Sequence, residues 1–283
     1  MTSKAERAVG ALRTGFDTLA ELIGSLPPED LVRPSAASEW KVADVLSHLG
    51  SGSVINLAAL EGALDGSGLP PADFNTNTWD RWNAMSPAEQ AENFLSAGRT
   101  LIERYEALTD EQLTDLRIDL GYMPEPVDVA TAAGARLNEF ALHSWDVRVA
   151  LDPEATLAPE ATEILLETIP RLLGWAAKAD QYDGEAILTV TTTEPARSYT
   201  LAITDSVQLT ESPTTPATDG TTTGPATDGA TTGPAADGAL TVPAEFLIRL
   251  VTGRNAERYT PASVTLTGDK VTLDDLRKVF PGF

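Results

Sequence analysis

The sequence predicts an α+β protein in which a helical bundle precedes a small mixed domain. Three observations carry that prediction. Five segments in the first part of the chain repeat apolar side chains at helical spacing, and after Gly184 the pattern changes to β-branched runs with partial alternation. The length of 283 residues also suits two cores, because a single core stops growing near 250 to 300 residues. The expected domains are 1–180 and 184–283.

The first helix is read over 5–25, where Val9, Leu12, Phe16, Leu19, Leu22 and Ile23 fall on one face and Ser25-Leu-Pro-Pro ends the pattern. A second runs from about Val42 to Leu64, with Gly50 and Gly52 as places where it can bend. The stretch from Gly66 to Trp82 reads as a Pro/Gly/Asn-rich loop dense in aromatics, a length that often carries function. Ser86-Pro-Ala-Glu89 supplies an N-cap, a proline at the first helical position and a glutamate at the third, so a third helix opens there and continues to about Leu108. A fourth spans roughly Val129 to Leu151, stopped by Asp152-Pro153, and a fifth covers Glu160 to Ala179. Helices in unbroken succession imply a bundle.

The second domain opens with three expected strands, beginning at Ala186, Ser198 and Val207, that read as a meander. Residues 213–238 then repeat Pro-Ala-Thr-Asp-Gly at 216 and 225 and Pro-Ala-Ala-Asp-Gly at 234. Small polar repeats of this kind bury too little apolar surface to offset chain entropy, so the segment is expected to be a disordered insertion. A short helix ending at Gly253, a strand over Ala262–Gly268 and a helix over Val271–Phe280 capped by Thr272 complete the domain.

Composition narrows the function. No apolar run approaches the ~20 residues that cross a bilayer, and the first residues lack the apolar core of a secretory signal. A soluble, cytoplasmic protein is expected, with no membrane partner. Forty-two acidic residues against 20 basic ones give a formal charge of −22, which repels phosphate backbones and argues against nucleic-acid binding. There is no cysteine, so disulfides, thiolate metal ligands and a cysteine nucleophile are all excluded. A monomer or homodimer acting on small molecules is the expectation.

The chain has only two histidines, His48 in Trp40-Lys-Val-Ala-Asp44-Val-Leu-Ser-His48-Leu and His143 in Arg136-Leu-Asn-Glu139-Phe-Ala-Leu-His143-Ser-Trp-Asp146. On an ideal helix Glu139 and His143 stand one turn apart, with Arg136 and Asp146 near the same face. If the second and fourth helices face each other, His48, Glu139 and His143 form a two-histidine, one-carboxylate set with an open fourth position, the arrangement of catalytic zinc. On spacing alone an ordinary i,i+4 pair packed without metal fits equally well. Asp44 and Asp146 are placed to orient the rings of His48 and His143 respectively.

These motifs, with the closing Gly268-Asp-Lys and Phe280-Pro-Gly-Phe283, resemble the mycothiol-dependent maleylpyruvate isomerase family. The resemblance implies a DinB-like four-helix bundle holding zinc or another divalent metal on His48, Glu139 and His143, followed by a small sterol-carrier-like α+β domain. It also implies mycothiol as cosubstrate, so the thiol that the cysteine-free chain lacks arrives with the cosubstrate. The implied enzyme adds a metal-activated thiolate to a small electrophile, as an isomerase or an S-transferase. The other readings are a DinB-like enzyme using another thiol or water, and a non-catalytic metal- or ligand-binding protein. Arg136, Asp146 and Arg254 are the candidate catalytic residues, Arg249 and Trp82 the candidate cosubstrate contacts, and Arg81 a further cationic anchor for an anionic substrate. Trp79 and Trp145 are candidate pocket walls.

Overall fold

The computed structural model describes residues 2–212 and 236–282. The chain divides into two compact units, Met1–Leu165 and Leu166–Phe283. In chain order the first carries α1 (Lys4–Ser25), α2 (Pro28–Leu31), α3 (Val42–Asp65), α4 (Phe74–Asn83), α5 (Pro87–Glu106), α6 (Asp110–Asp115), the two-residue strands β1 (Arg117–Ile118) and β2 (Val127–Asp128), and α7 (Val129–Arg148). Helix α8 (Pro159–Ala176) carries the chain into the second unit. There follow β3 (Ala186–Thr193), β4 (Arg197–Ile203), β5 (Val207–Glu211), β6 (Gly238–Pro243), α9 (Ala244–Val251), β7 (Thr265–Thr267) and α10 (Leu273–Val279), with two single 3-10 turns between them.

Four long helices make the core of the first unit: α1 packs on α5 and α7, and α3 packs on the same two. The stripe read from the sequence of α1 is the buried one, with Val9, Leu12, Phe16, Leu19 and Ile23 turned inward. Rings from three helices meet at its centre, Phe16 and Phe94 at 5.7 Å between centroids and Phe94 and Phe140 at 6.5 Å. Such tilted or offset pairs each add about 0.5–1.5 kcal/mol beyond the area they bury. The Ser86/Glu89 capping box opens α5 as expected, and Ser3 with Glu6 does the same for α1.

Helix α3 runs unbroken through both glycines and stops at Gly66, whose φ of 76° is the left-handed conformation that favours glycine. The glycines serve close approach rather than bending. A methyl at Gly50 would overlap the ring of Trp82, and one at Gly52 would come within 2.8 Å of Arg136 Nη1. The seat for Trp82 also corrects the loop expected over Gly66–Trp82. Residues 74–83 form α4 instead, because Trp82 is buried against α3 and its carbonyl accepts from Gln90 Nε2. Its Asn/Thr-rich sequence is a poor helix former, and tertiary packing overrides that preference.

In the second unit the sheet order is β5-β4-β3-β6-β7, with β3 and β6 parallel and the other pairs antiparallel. The expected meander is β3-β4-β5, and Ala186, Leu188, Val190 and Thr192 of β3 turn to the buried face. Strand β6 escaped the sequence reading, which assigned its first residue to the polar repeat. The disordered insertion expected over 213–238 falls mostly on 213–235, outside the described residues; of its end, Asp237 accepts the amide of Ile187 and Gly238 begins β6. Thr272 caps α10 as read. Among the described residues no helix is long and apolar enough to cross a membrane.

The Gly50–Trp82 seat gives a test of opposite sign to helix propensity. Exchange of a mid-helix glycine for alanine ordinarily adds up to about 1 kcal/mol. Here Gly50→Ala is expected to lower stability by about 1–3 kcal/mol through overpacking, read as a shift in the urea midpoint at unchanged slope.

Candidate metal centre

Two helices bring the site together. His48 lies on α3, and Glu139, His143 and Asp146 lie on the face of α7 turned toward it. His48 Nε2 stands 3.3 Å from Glu139 Oε2, His143 Nε2 stands 3.9 Å from the same oxygen, and one donor atom from each residue falls within 4.8 Å of the others. A cation bound tetrahedrally at about 2.0–2.1 Å separates neighbouring donors by roughly 3.3 Å, so side-chain rotations suffice to close the three around one ion. Two borderline imidazoles and a hard carboxylate together make a donor set that suits zinc and its neighbours.

The environment sets the ligands in advance. Asp146, fully buried, holds His143 Nδ1 at 2.9 Å, which fixes the proton there and turns Nε2 toward Glu139. Glu139 is held down to about 2: the hydrogen bond with His48 contributes most, then the charges of His143, His48 and Arg136, against the opposing effect of burial. It is therefore a carboxylate throughout the physiological range. The two imidazoles meet edge to face at 4.6 Å between centroids.

Trp40 is the participant that the sequence reading quoted without assigning a role. Its ring stacks on His143 at 5.7 Å and lies 5.3 Å from His48, forming a wall over both imidazoles. The segment carrying it is fastened by the Pro34–Lys41 bridge and by the amide of Ala36, which donates to the carbonyl of Asp146 at 3.0 Å. Asp146 thus anchors both a histidine and the loop beside it. A tryptophan placed immediately before the helix that bears His48 was the available signal.

The other expected residues are placed by their own contacts. Asp44 does not orient His48: its carboxylate accepts the amide of Lys41 at 2.8 Å and caps α3, as an acidic group in a first turn commonly does. Arg136 lies one turn before Glu139 and is buried, donating from Nη2 to Leu49 O at 2.6 Å and Ser53 Oγ at 3.0 Å; desolvation lowers its pKa to about 10. Trp82 packs on Gly50, and Trp145 is a core residue whose Nε1 donates to Ala155 O. Arg81 and Trp79 are exposed on α4. Arg249 and Arg254 belong to the second unit. Arg249 is buried, paired through Nε and Nη2 with both oxygens of Glu245 at 2.7 Å, and Nη1 donates to Tyr259 O. Arg254 donates from Nη1 to Thr252 O at 3.3 Å.

Residues 12–148 match the family model of the mycothiol maleylpyruvate isomerase N-terminal domain. The fold is similar to a crystal structure of the mycothiol-dependent maleylpyruvate isomerase, with a TM-score of 0.62 and 11% identity, over 96% of this chain and 98% of that one. A histidine-to-alanine mutant of that enzyme is similar to the same degree. At this identity the likeness carries the fold alone. No curated protein matches the sequence.

The hydrogen bond from His143 to Asp146 generates a prediction. Asp146→Asn is expected to weaken zinc binding about 10- to 100-fold, because the amide no longer fixes the proton on Nδ1. Competition with a chromophoric chelator measures it; unchanged affinity in a folded variant would mean that Asp146 serves packing alone.

Proposed function

We infer, from the chain's membership of the mycothiol maleylpyruvate isomerase family through residues 12–148, that it is a metal-dependent enzyme adding the sulfur of mycothiol to a small electrophile, as an isomerase or an S-transferase. The convergence of His48, Glu139 and His143, the chain's only imidazoles and an ionised carboxylate, carries this reading. A divalent cation such as zinc, when bound, supplies the acidity that turns a thiol into a thiolate.

The chain's own residues supply the geometry. Asp146 keeps the proton on His143 Nδ1 and leaves Nε2 as a ligand. Glu139 contributes one negative charge held between two rings, and Trp40 covers both rings on one side. Without cysteine the protein presents no competing thiol of its own, so the nucleophile enters with the cosubstrate.

In the isomerase reading, sulfur bonds to one carbon of a cis double bond and the π pair moves onto the conjugated carbonyl. Rotation follows about the resulting single bond. The pair then returns, the carbon–sulfur bond breaks and the thiolate leaves, giving the trans isomer with no net use of thiol. In the transferase reading the sulfur remains, and the electrophile takes up a proton or releases a leaving group. Both need the same nucleophile and the same site.

His143→Ala is expected to abolish bound zinc and mycothiol-dependent turnover of maleylpyruvate or a model electrophile together. Metal stoichiometry by mass spectrometry and turnover are read on the same preparation, beside wild-type protein stripped by chelator and reloaded. Full turnover in the metal-poor variant would reject the metal-dependent reading.

A further inference from the structure

Arg136 is the buried arginine among the described residues of the site's own unit, and it lacks the ion pair that several more exposed ones form. Arg13 is paired with Glu106, Arg104 with Glu61 and Arg33 with Asp30. The second unit's buried Arg249 is matched by both oxygens of Glu245. Arg136 is 5% exposed, yet among the described residues it forms no ion pair, although 42 acidic residues are available to the chain. Its hydrogen bonds there go to neutral acceptors, the carbonyl of Leu49 and the hydroxyl of Ser53, and both leave from Nη2.

The other N–H groups therefore lack an acceptor among the described residues. They are not sealed away, because the only sealed side-chain polar atom without a partner among those residues is Asn138 Oδ1. The same holds for the hydroxyl of Tyr105, a residue 1% exposed and close enough to Arg136 for its phenol to feel the guanidinium charge. Gly52 keeps the space open on the α3 side, since a methyl there would come within 2.8 Å of Nη1. A buried guanidinium without a counter-charge is costly, and removing its anion leaves that cost standing. The fork of N–H groups matches a carboxylate.

We propose that Arg136, with the Tyr105 hydroxyl beside it, is an anion subsite that receives a carboxylate of the electrophilic substrate, one helical turn from Glu139. The subsite follows from the unpaired guanidinium; assigning its occupant to the electrophile rests on the thiol-adding reading of the site. Arg136 anchors the carboxylate, and Gly52 is a positioning residue that acts through it.

Maleate serves as an unreactive carboxylate probe of the zinc-loaded full chain. Calorimetry is expected to show saturable binding by wild type, weakened about 10- to 100-fold in Arg136→Gln with zinc content unchanged, the range for loss of charge-assisted hydrogen bonds. Gly52→Ala retains the charge and the core, and is expected to weaken maleate binding in the same direction by displacing Nη1. In turnover, Arg136→Gln should raise KM for a carboxylate-bearing electrophile and leave a neutral one, N-ethylmaleimide, unaffected. Maleate binding that is absent in wild type, or equal in wild type and both variants, would overturn the proposal. So would loss of zinc and of both electrophiles together in Arg136→Gln, which would make the residue a clamp between helices. Maleate binding that depends on Arg136 in a protein without thiol-dependent turnover would support the subsite and reject the enzymatic reading, so the two stand or fall separately.

Discussion

The close approach of α3 to α7 is the constraint from which the site follows. The two helices share one hydrogen bond between chemically active groups, His48 Nε2 to Glu139 Oε2 at 3.3 Å. The guanidinium of Arg136 then reaches across to the carbonyl of Leu49, in the turn after His48. That reach needs Gly52, because a β-carbon there would meet the guanidinium. On the other side of α3, Gly50 lets Trp82 seat α4. Two glycines in one helix thus serve opposite neighbours, one fixing the scaffold and the other admitting the site. Their cost in helix propensity, about 1 kcal/mol each, is offset by the contacts that they permit.

Helix α7 divides its residues between two tasks. Leu137, Phe140 and Ala141 are buried in the helical core, while Arg136, Glu139, His143 and Asp146 turn to the site. Arg136 and Asp146 are thus charged residues in buried positions, contrary to the usual rule for a helix on a core. The polar groups are matched locally: the histidines and Arg136 lower the carboxyl of Glu139, and Asp146 accepts the Nδ1–H of His143. The arrangement holds three potential ligands and an orienting acceptor in fixed relation without drawing on the acidic surface of the chain.

Much of this was legible in the sequence because it is periodic. Glu139, His143 and Asp146 share a face by arithmetic, and with only two histidines a second helix had to supply the other imidazole. The capping signatures at Ser86 and Thr272 and the change of period after Gly184 were likewise local, and the elements they announced are present. What escaped was decided across distance. The helix over 74–83 exists because Trp82 finds a seat on α3, which its polar sequence does not state. Strand β6 is short and borders a polar repeat, and its pairing with β3 joins residues 50 apart. Asp44 was read as a partner for His48, yet a carboxylate in the first turn met the nearer backbone amide of Lys41. Trp40 carried no periodic signal at all; its place over the imidazoles comes from a loop fastened to Asp146.

Arg136 and Arg249, the two buried arginines among the described residues, show how one residue type is put to different ends. Arg249 sits one turn after Glu245 on α9, and the i,i+4 spacing lets the helix neutralise its own cation, with Tyr259 O taking a further N–H. Arg136 has an acid at i+3, but Glu139 is turned to the histidines and is held there by the hydrogen bond with His48. Glu139 is therefore engaged by the histidines as well as by Arg136, which receives only part of its charge. Divalent cation binding by Glu139 and the histidines would reduce that part further. The stronger the claim of the metal site on Glu139, the more the neighbouring guanidinium depends on an anion from solution, so the same carboxylate that assembles the centre leaves the cation beside it open.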